Sequence, residues 1–130
     1  MGIKYLWDTN TVIYFLQQQF PTNAENFIDQ IAKDYKVIIS SITEIELYCW
    51  KAASEDDLKV LHAFIEDSTI IELEKEIKIR TAAIRKQYNL KLPDAIIAAT
   101  AMVYDLTLVT RNTKDFVNIG GLNTVNPFDF

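Results

Sequence analysis

Cysteine and histidine each occur once in this chain, as Cys49 and His62. A single cysteine excludes an internal disulfide and agrees with a reducing, cytoplasmic setting. Cys49 is expected in the core, packed as a small apolar residue. A single histidine with no motif around it excludes a Ser-His-Asp triad, and no His or Cys cluster can form. His62 itself is read as a surface or packing residue outside any site. Three glycines and three prolines leave little room for disorder or long linkers. They also form no phosphate-cradling loop, which disfavours a nucleotide switch. Low-complexity tracts, internal repeats and a basic-then-apolar leader pattern are all missing. No apolar run approaches the length of a membrane span. Basic residues are outnumbered, 13 against 18 acids, for a net charge of −5. Taken whole, that balance argues against a nucleic-acid binder, because phosphate contacts rely on Lys and Arg.

What is present is enough for one domain over residues 1–130: 49% hydrophobic and 12% aromatic residues can supply one well-packed core. The charge is also unevenly spread. Lys75, Lys78, Arg80, Arg85, Lys86 and Lys91 stand against one acid, Glu76, so that segment carries +5 and the remainder −10. Such a strip is either a phosphate-facing surface or a solvated helix face.

Ile3 to Trp7 reads as a short strand, followed by helical character from Val12 to Leu16. Pro21 breaks the chain, and a helix from Asn23 places Phe27, Ile28 and Ile31 on one face. Val37 to Ser40 reads as a buried strand. Ser41-Ile42-Thr43-Glu44 matches a capping box, with Ser41 as the cap and Glu44 reaching back to it. Ser54 is expected to cap the next helix, with Leu58, Leu61, Phe64 and Ile65 inward. A strand over Ser68 to Leu73 precedes a basic helix over Glu74 to Tyr88. Ile77, Ala82 and Ile84 are its inward candidates, and Asn89 closes it. Leu92-Pro93-Asp94 then opens a helix of apolar and small residues through Tyr104, a pattern that implies burial on every side. Leu106 to Thr110 is a strand, Arg111 to Phe116 a turn and short helix, Gly120-Gly121 a turn, and Thr124-Val125 a last strand ended by Asn126-Pro127.

Strands alternating with helices, each strand a continuous apolar run, imply a parallel sheet covered on both faces. Ligands of such folds sit beyond the carboxyl ends of the strands, near a topological switch point. Acids recur at those places. Asp8 follows the first strand, Glu46 lies in the helix after the second, Asp94 begins the buried helix, and Asp115 follows the strand ending at Thr110. Helix caps would also put acids there, and Asp94 in a first helical turn can simply answer the helix dipole. Glu44 has a structural role in the capping box; Glu46, among Ile45, Leu47 and Tyr48, does not. Carboxylates gathered in one cleft stay ionised together only with a cation among them. An oxygen-only donor set indicates Mg²⁺ or Mn²⁺. Such a centre can orient water and stabilise charge on a phosphodiester.

Four stretches carry a family resemblance: Leu6-Trp7-Asp8-Thr9-Asn10, Ser41 to Leu47, Leu92 to Ala101, and Leu108 to Phe116. In this order they resemble a PIN-domain ribonuclease, specifically a VapC-like toxin of a type II toxin–antitoxin pair. The resemblance implies a three-layer α/β/α fold with a central parallel sheet, divalent metal, cleavage of RNA, a homodimer and an antitoxin partner. It aligns Asp8, Glu46 and Asp94 with the family's acidic residues. Many members have Asp where this chain has Asn112; here an acid stands three residues later, at Asp115. The reading that follows is a Mg²⁺- or Mn²⁺-dependent endoribonuclease. In it Asp8 and Asp94 hold the metal, Glu46 ligates through water or positions the attacking water, and Asp115 completes the negative pocket or binds a second ion. The basic strip and Arg111 would steer the RNA backbone.

Two other readings compete. A phosphatase of the haloacid dehalogenase type also has an Asp after its first strand, but needs a second Asp where Asn10 stands. A catalytically weak module that keeps the fold and binds a protein is the other. Retention of Asp8, Glu46 and Asp94 weighs against it.

Overall fold

A computed structural model describes residues 4–51 and 54–130. Ile3, the expected start of the first strand, lies outside them. Five short strands form one sheet: β1 (Tyr5–Trp7), β2 (Ile38–Ser40), β3 (Thr69–Ile71), β4 (Thr107–Val109) and β5 (Asn123–Val125). Their order is β3-β2-β1-β4-β5, and every pairing is parallel. The chain therefore leaves β1 in one direction and later returns to its other side as β4. The β1/β4 boundary is the switch point at which such sheets open a crevice.

Neighbouring strand residues face opposite layers. Leu6, Ile38 and Leu108 join one core, and Trp7, Ile39 and Val109 the other. The first core is closed by α5 (Lys75–Gln87) and α6 (Leu92–Val103), and the second by α1 (Thr9–Leu16), α2 (Thr22–Asp34) and α4 (Glu55–Asp67). Helix α3 (Ser41–Tyr48) contributes Ile42 to the first and Leu47 to the second. The result is the expected α/β/α layering. Helix α6 has seven consecutive buried residues, Ala95 to Ala101, because its small side chains let α5 and the sheet approach together. Pro93 sits one position inside its start, where no intrahelical N–H is required of it. Among the described residues no helix is long and apolar enough to cross a membrane.

Several local expectations are corrected. The cap of α3 is Ser40, whose hydroxyl accepts from the Ile42 N–H at 3.2 Å. Ser41 is the first helical residue, so the capping box with Glu44 does not form. With two adjacent serines the strand decides, because Ser40 ends β2 in extended backbone. Cys49 is exposed, since α3 ends just before it. Ser54 does cap α4, accepting from the Asp57 N–H at 3.1 Å, but Leu58 is 40% exposed. In α5 the inward position falls to Thr81, whose hydroxyl donates to the Ile77 carbonyl, and Ala82 faces out. Tyr88, in extended backbone, ends α5 in place of Asn89. His62 is exposed on α4, its ring 6.1 Å from that of Tyr48.

Candidate active site

Asp8 stands where β1 becomes α1. Its Oδ1 accepts from the Thr11 N–H at 2.8 Å, so it is the cap of α1. The Thr11 hydroxyl donates to the Val109 carbonyl at 3.0 Å, tying the start of α1 to the end of β4. Asp8 is only 8% exposed. Burial pushes its carboxyl above the ordinary value of 3.8, against hydrogen bonds from Thr11 and Thr110 that pull it down, and the charge of Glu46 adds to the rise.

Asp94 lies in the first turn of α6, half-buried. Its carboxyl is also raised, by burial first and then by the charges of Asp115, Asp8 and Glu46 in turn; Lys91 opposes the rise. Three carboxylates from three other elements thus act on this one group. Glu46 reaches the same place from α3, and Asp115 from α7 (Thr113–Phe116) beyond β4. All four line one small cleft of about 100 Å³, together with Thr9, Asn10, Ile97, Asn112 and Phe116. Among the described residues no Lys or Arg lines it. The cleft lies beyond the carboxyl ends of β1 and β4, at the switch point.

Glu46 is held in place by side chains. Its Oε1 accepts from the Thr9 hydroxyl at 2.6 Å, and the Thr9 and Thr43 hydroxyl oxygens are 3.1 Å apart. Thr9 has one hydroxyl proton, and the carboxylate takes it, so Thr43 supplies the proton of the second contact. Thr43 is fully buried and one turn before Glu46 on the same helix face. Glu44 faces elsewhere, its Oε2 accepting from the Tyr48 hydroxyl at 2.9 Å. The structure therefore separates the two glutamates that the sequence sets two apart.

The sequence reading overlooked Thr9, Thr43 and Thr110. Thr43 had a signal, since it stands three residues before Glu46. Thr110 had none: its hydroxyl accepts from the Asn112 N–H at 3.1 Å, which turns the chain so that Asn112 and Asp115 both face the cleft. Of those two it is Asp115 whose charge bears on Asp94.

The donors are four carboxylates, the Thr9 hydroxyl and two amides, Asn10 and Asn112, which suit a hard divalent cation. Among the described residues no three His, Cys, Asp or Glu side chains converge into a ready-made cage. Mg²⁺ does not require one, because it keeps several waters and takes one or two carboxylates. The raised carboxyls of Asp8 and Asp94 fit the same account: burial, with the neighbouring acids, makes their ionisation costly, and Lys91 offsets that only in part and only at Asp94.

The PIN domain family profile matches residues 5–122. A tRNA(fMet)-specific endonuclease VapC from Shigella flexneri is 29% identical over 130 residues, covering 94% of this chain and 96% of that protein. Ribonuclease VapC2 of Haemophilus influenzae is 30% identical, with 95% and 98% covered. Among solved structures, DNA-bound VapBC from Salmonella typhimurium superposes with a TM-score of 0.80 at 26% identity, covering 97% of this chain and 99% of that one. A toxin–antitoxin complex from Klebsiella pneumoniae gives 0.75 at 35% identity, with 95% and 98% covered.

Proposed function

We propose that this chain, which belongs to the PIN domain family and within it to the VapC ribonucleases, is a divalent-metal-dependent endoribonuclease acting as the toxin of a toxin–antitoxin pair. The observation that carries the reading is the cleft at the switch point, where Asp8, Glu46, Asp94 and Asp115 meet with no cationic side chain among them. Family membership disfavours the phosphatase reading.

In this reading Asp8 and Asp94 hold a Mg²⁺ or Mn²⁺ ion. The bound ion would supply neutralising charge for the phosphodiester and lower the pKa of nearby water. Glu46, fixed by Thr9, orients the attacking water and takes its proton as the new P–O bond forms and the old one breaks. Asp115 closes the far side of the negative pocket. Thr9→Val removes the donor that orients Glu46. It is expected to lower kcat about tenfold with KM nearly unchanged, by analogy with the loss of one charge-assisted hydrogen bond.

The partner is a small antitoxin. Support comes from the solved neighbours described as toxin–antitoxin or VapBC complexes and from charge. The chain outside the basic strip carries −10, which favours a partner segment bearing Lys or Arg. An Arg laid across the cleft would make charge-assisted hydrogen bonds to Asp8 and Asp94 in place of the metal. The same reading includes a second copy of the chain, as the family resemblance implies.

The test is cleavage of a panel of cellular RNAs, initiator tRNA included, by purified antitoxin-free protein. Cleavage is expected with Mg²⁺ or Mn²⁺ and none in chelator. Calorimetry should show Mn²⁺ binding that weakens sharply in Asp94→Asn. Equal cleavage in chelator would remove the metal from the mechanism. Intact metal binding with no RNA cut would move the protein-binding module ahead.

A further inference from the structure

The cleft itself holds no basic residue, yet RNA must bring phosphates to it. The basic helix α5 contributes no residue to its lining, and Lys91, just before α6, acts on Asp94 from outside that lining. One strip member, Arg85, is committed elsewhere, donating from Nε to the Leu90 carbonyl at 3.2 Å. One arginine stands apart from the strip. Arg111 follows Thr110, which caps the turn beside Asp8, and precedes Asn112, which lines the cleft. Its side chain is exposed but not loose. The guanidinium carbon lies 4.3 Å from the centroid of the Phe128 ring and 5.9 Å from that of Tyr14. Nη1 donates to the Tyr14 hydroxyl at 3.4 Å.

The support beneath it is itself braced. Asn126 caps the 3₁₀ turn Pro127–Asp129, accepting through Oδ1 from the Phe128 N–H at 2.9 Å. Its Nδ2 donates to the Arg111 carbonyl at 3.4 Å. The same residue thus holds the backbone of the arginine and the ring under it. Phe128 packs edge-on against Tyr14 at 5.6 Å and tilts against Phe20 at 5.4 Å. Tyr14 lies one turn along α1 from Asn10, which lines the cleft, so the two share a helix face. The aromatic shelf and its guanidinium therefore continue the cleft along α1.

An arginine held this way has already given up most of its rotamer freedom, and its planar fork keeps further N–H donors beyond the one bonded to Tyr14. Among the described residues its side-chain hydrogen bond goes to the Tyr14 hydroxyl and not to a carboxylate. A flat cation on an aromatic shelf beside an acidic cleft fits a phosphate of single-stranded RNA, with an aromatic face close by for a base. We infer that Arg111 binds the phosphate of the nucleotide next to the scissile bond, and that Phe128, Tyr14 and Asn126 are positioning residues for it. The inference rests on the ribonuclease reading and names the residue that receives its substrate.

The test compares cleavage kinetics of a single-stranded RNA substrate across a salt series, with Mg²⁺ present, for the full chain and four variants. Arg111→Gln is expected to raise KM about tenfold to hundredfold, as loss of a charge-assisted contact does, with kcat within about threefold of the parent. Its dependence of log KM on log salt should flatten by about one unit, since one phosphate contact is gone. Arg111→Lys should keep the salt slope but still raise KM, because a lysine keeps the charge and lacks the fork. Phe128→Leu should raise KM in the same direction with the slope kept, and Phe128→Tyr should restore it. Should Phe128→Leu fold poorly by circular dichroism, the Arg111→Lys result decides, since that side chain leaves the core untouched. If the wild type cleaves and Arg111→Gln keeps both its KM and its salt slope, the inference falls and the ribonuclease reading stands. If Arg111→Gln loses kcat at unchanged KM, the residue acts on the reacting phosphate, and the flanking assignment is wrong. If the wild type neither cuts nor binds RNA, both fall.

Discussion

Asp8→Asn should give a folded protein that no longer cleaves RNA and that, without metal, melts at a higher temperature than the wild type. Both halves follow from the two roles of one side chain. As a cap, Asp8 accepts from the Thr11 N–H through Oδ1. Asparagine caps a helix as well as aspartate does, so α1 keeps its start. As a charge, Asp8 is buried beside other acids, and its raised carboxyl states that ionisation is harder in the fold than in the open chain. The folded protein therefore holds this proton more tightly than the unfolded one. The Asp8 contribution to the metal-free wild type is greatest at low pH. It is lost as pH rises from the ordinary 3.8 through the raised native value. The variant lacks the Asp8 part of that slope and keeps the part from Asp94. Cleavage runs the other way. It requires ionised Asp8 and Asp94, so protons compete with the cation for these carboxylates, and metal binding and cleavage should both weaken on acidification. A bound cation is worth several kcal/mol of charge stabilisation, so the expected loss of activity is about 10³-fold or more. Expression of the wild-type chain alone should slow growth of a bacterial host, and Asp8→Asn should relieve it. A folded variant as toxic as the wild type would separate toxicity from metal-dependent cleavage.

The frame of the site was readable because it depends on local patterns. A strand followed by Asp8, a helix opened by Pro93 and Asp94, and a strand followed by Asn112 and Asp115 each announce themselves within a few residues. Parallel topology then brings their ends to one edge of the sheet. Where the reading failed, a choice between neighbours was decided by packing across the molecule. Ser40 and Ser41 are equally good caps, and only the end of β2 selects the first. Ala82 and Thr81 are adjacent on α5, and the buried hydroxyl satisfies itself on the Ile77 carbonyl, so Thr81 can take the inward place. Cys49 has the composition of a core residue, but the helix that would bury it has already ended. The shelf under Arg111 had no local signal at all. Its ring and its brace come from Phe128 and Asn126, more than a dozen residues further along the chain.

The two glutamates of α3 offer the second large effect. They are two residues apart, so at about 100° per residue they point about 200° apart around the helix. Glu46 lines the cleft and accepts from the Thr9 hydroxyl; Glu44 accepts from the Tyr48 hydroxyl on an exposed surface. Glu46→Gln retains an oxygen for Thr9 and nearly the same volume, so the side chain keeps its place. What it loses is the ability to take a proton from water. General-base catalysis contributes about 10²- to 10⁴-fold, and kcat should fall by that order with KM and melting temperature little changed. Glu44→Gln also keeps an acceptor for its tyrosine, and residue 44 does not line the cleft. Its kcat should stay within about twofold of the parent, as for a surface substitution away from the chemistry. The pair is a control on itself, because both variants make the same chemical change on the same helix. If Glu44→Gln lost the activity and Glu46→Gln kept it, the face of α3 that meets the substrate would be the outer one. The Thr43–Thr9–Glu46 chain of hydroxyls would then serve only to seat the helix.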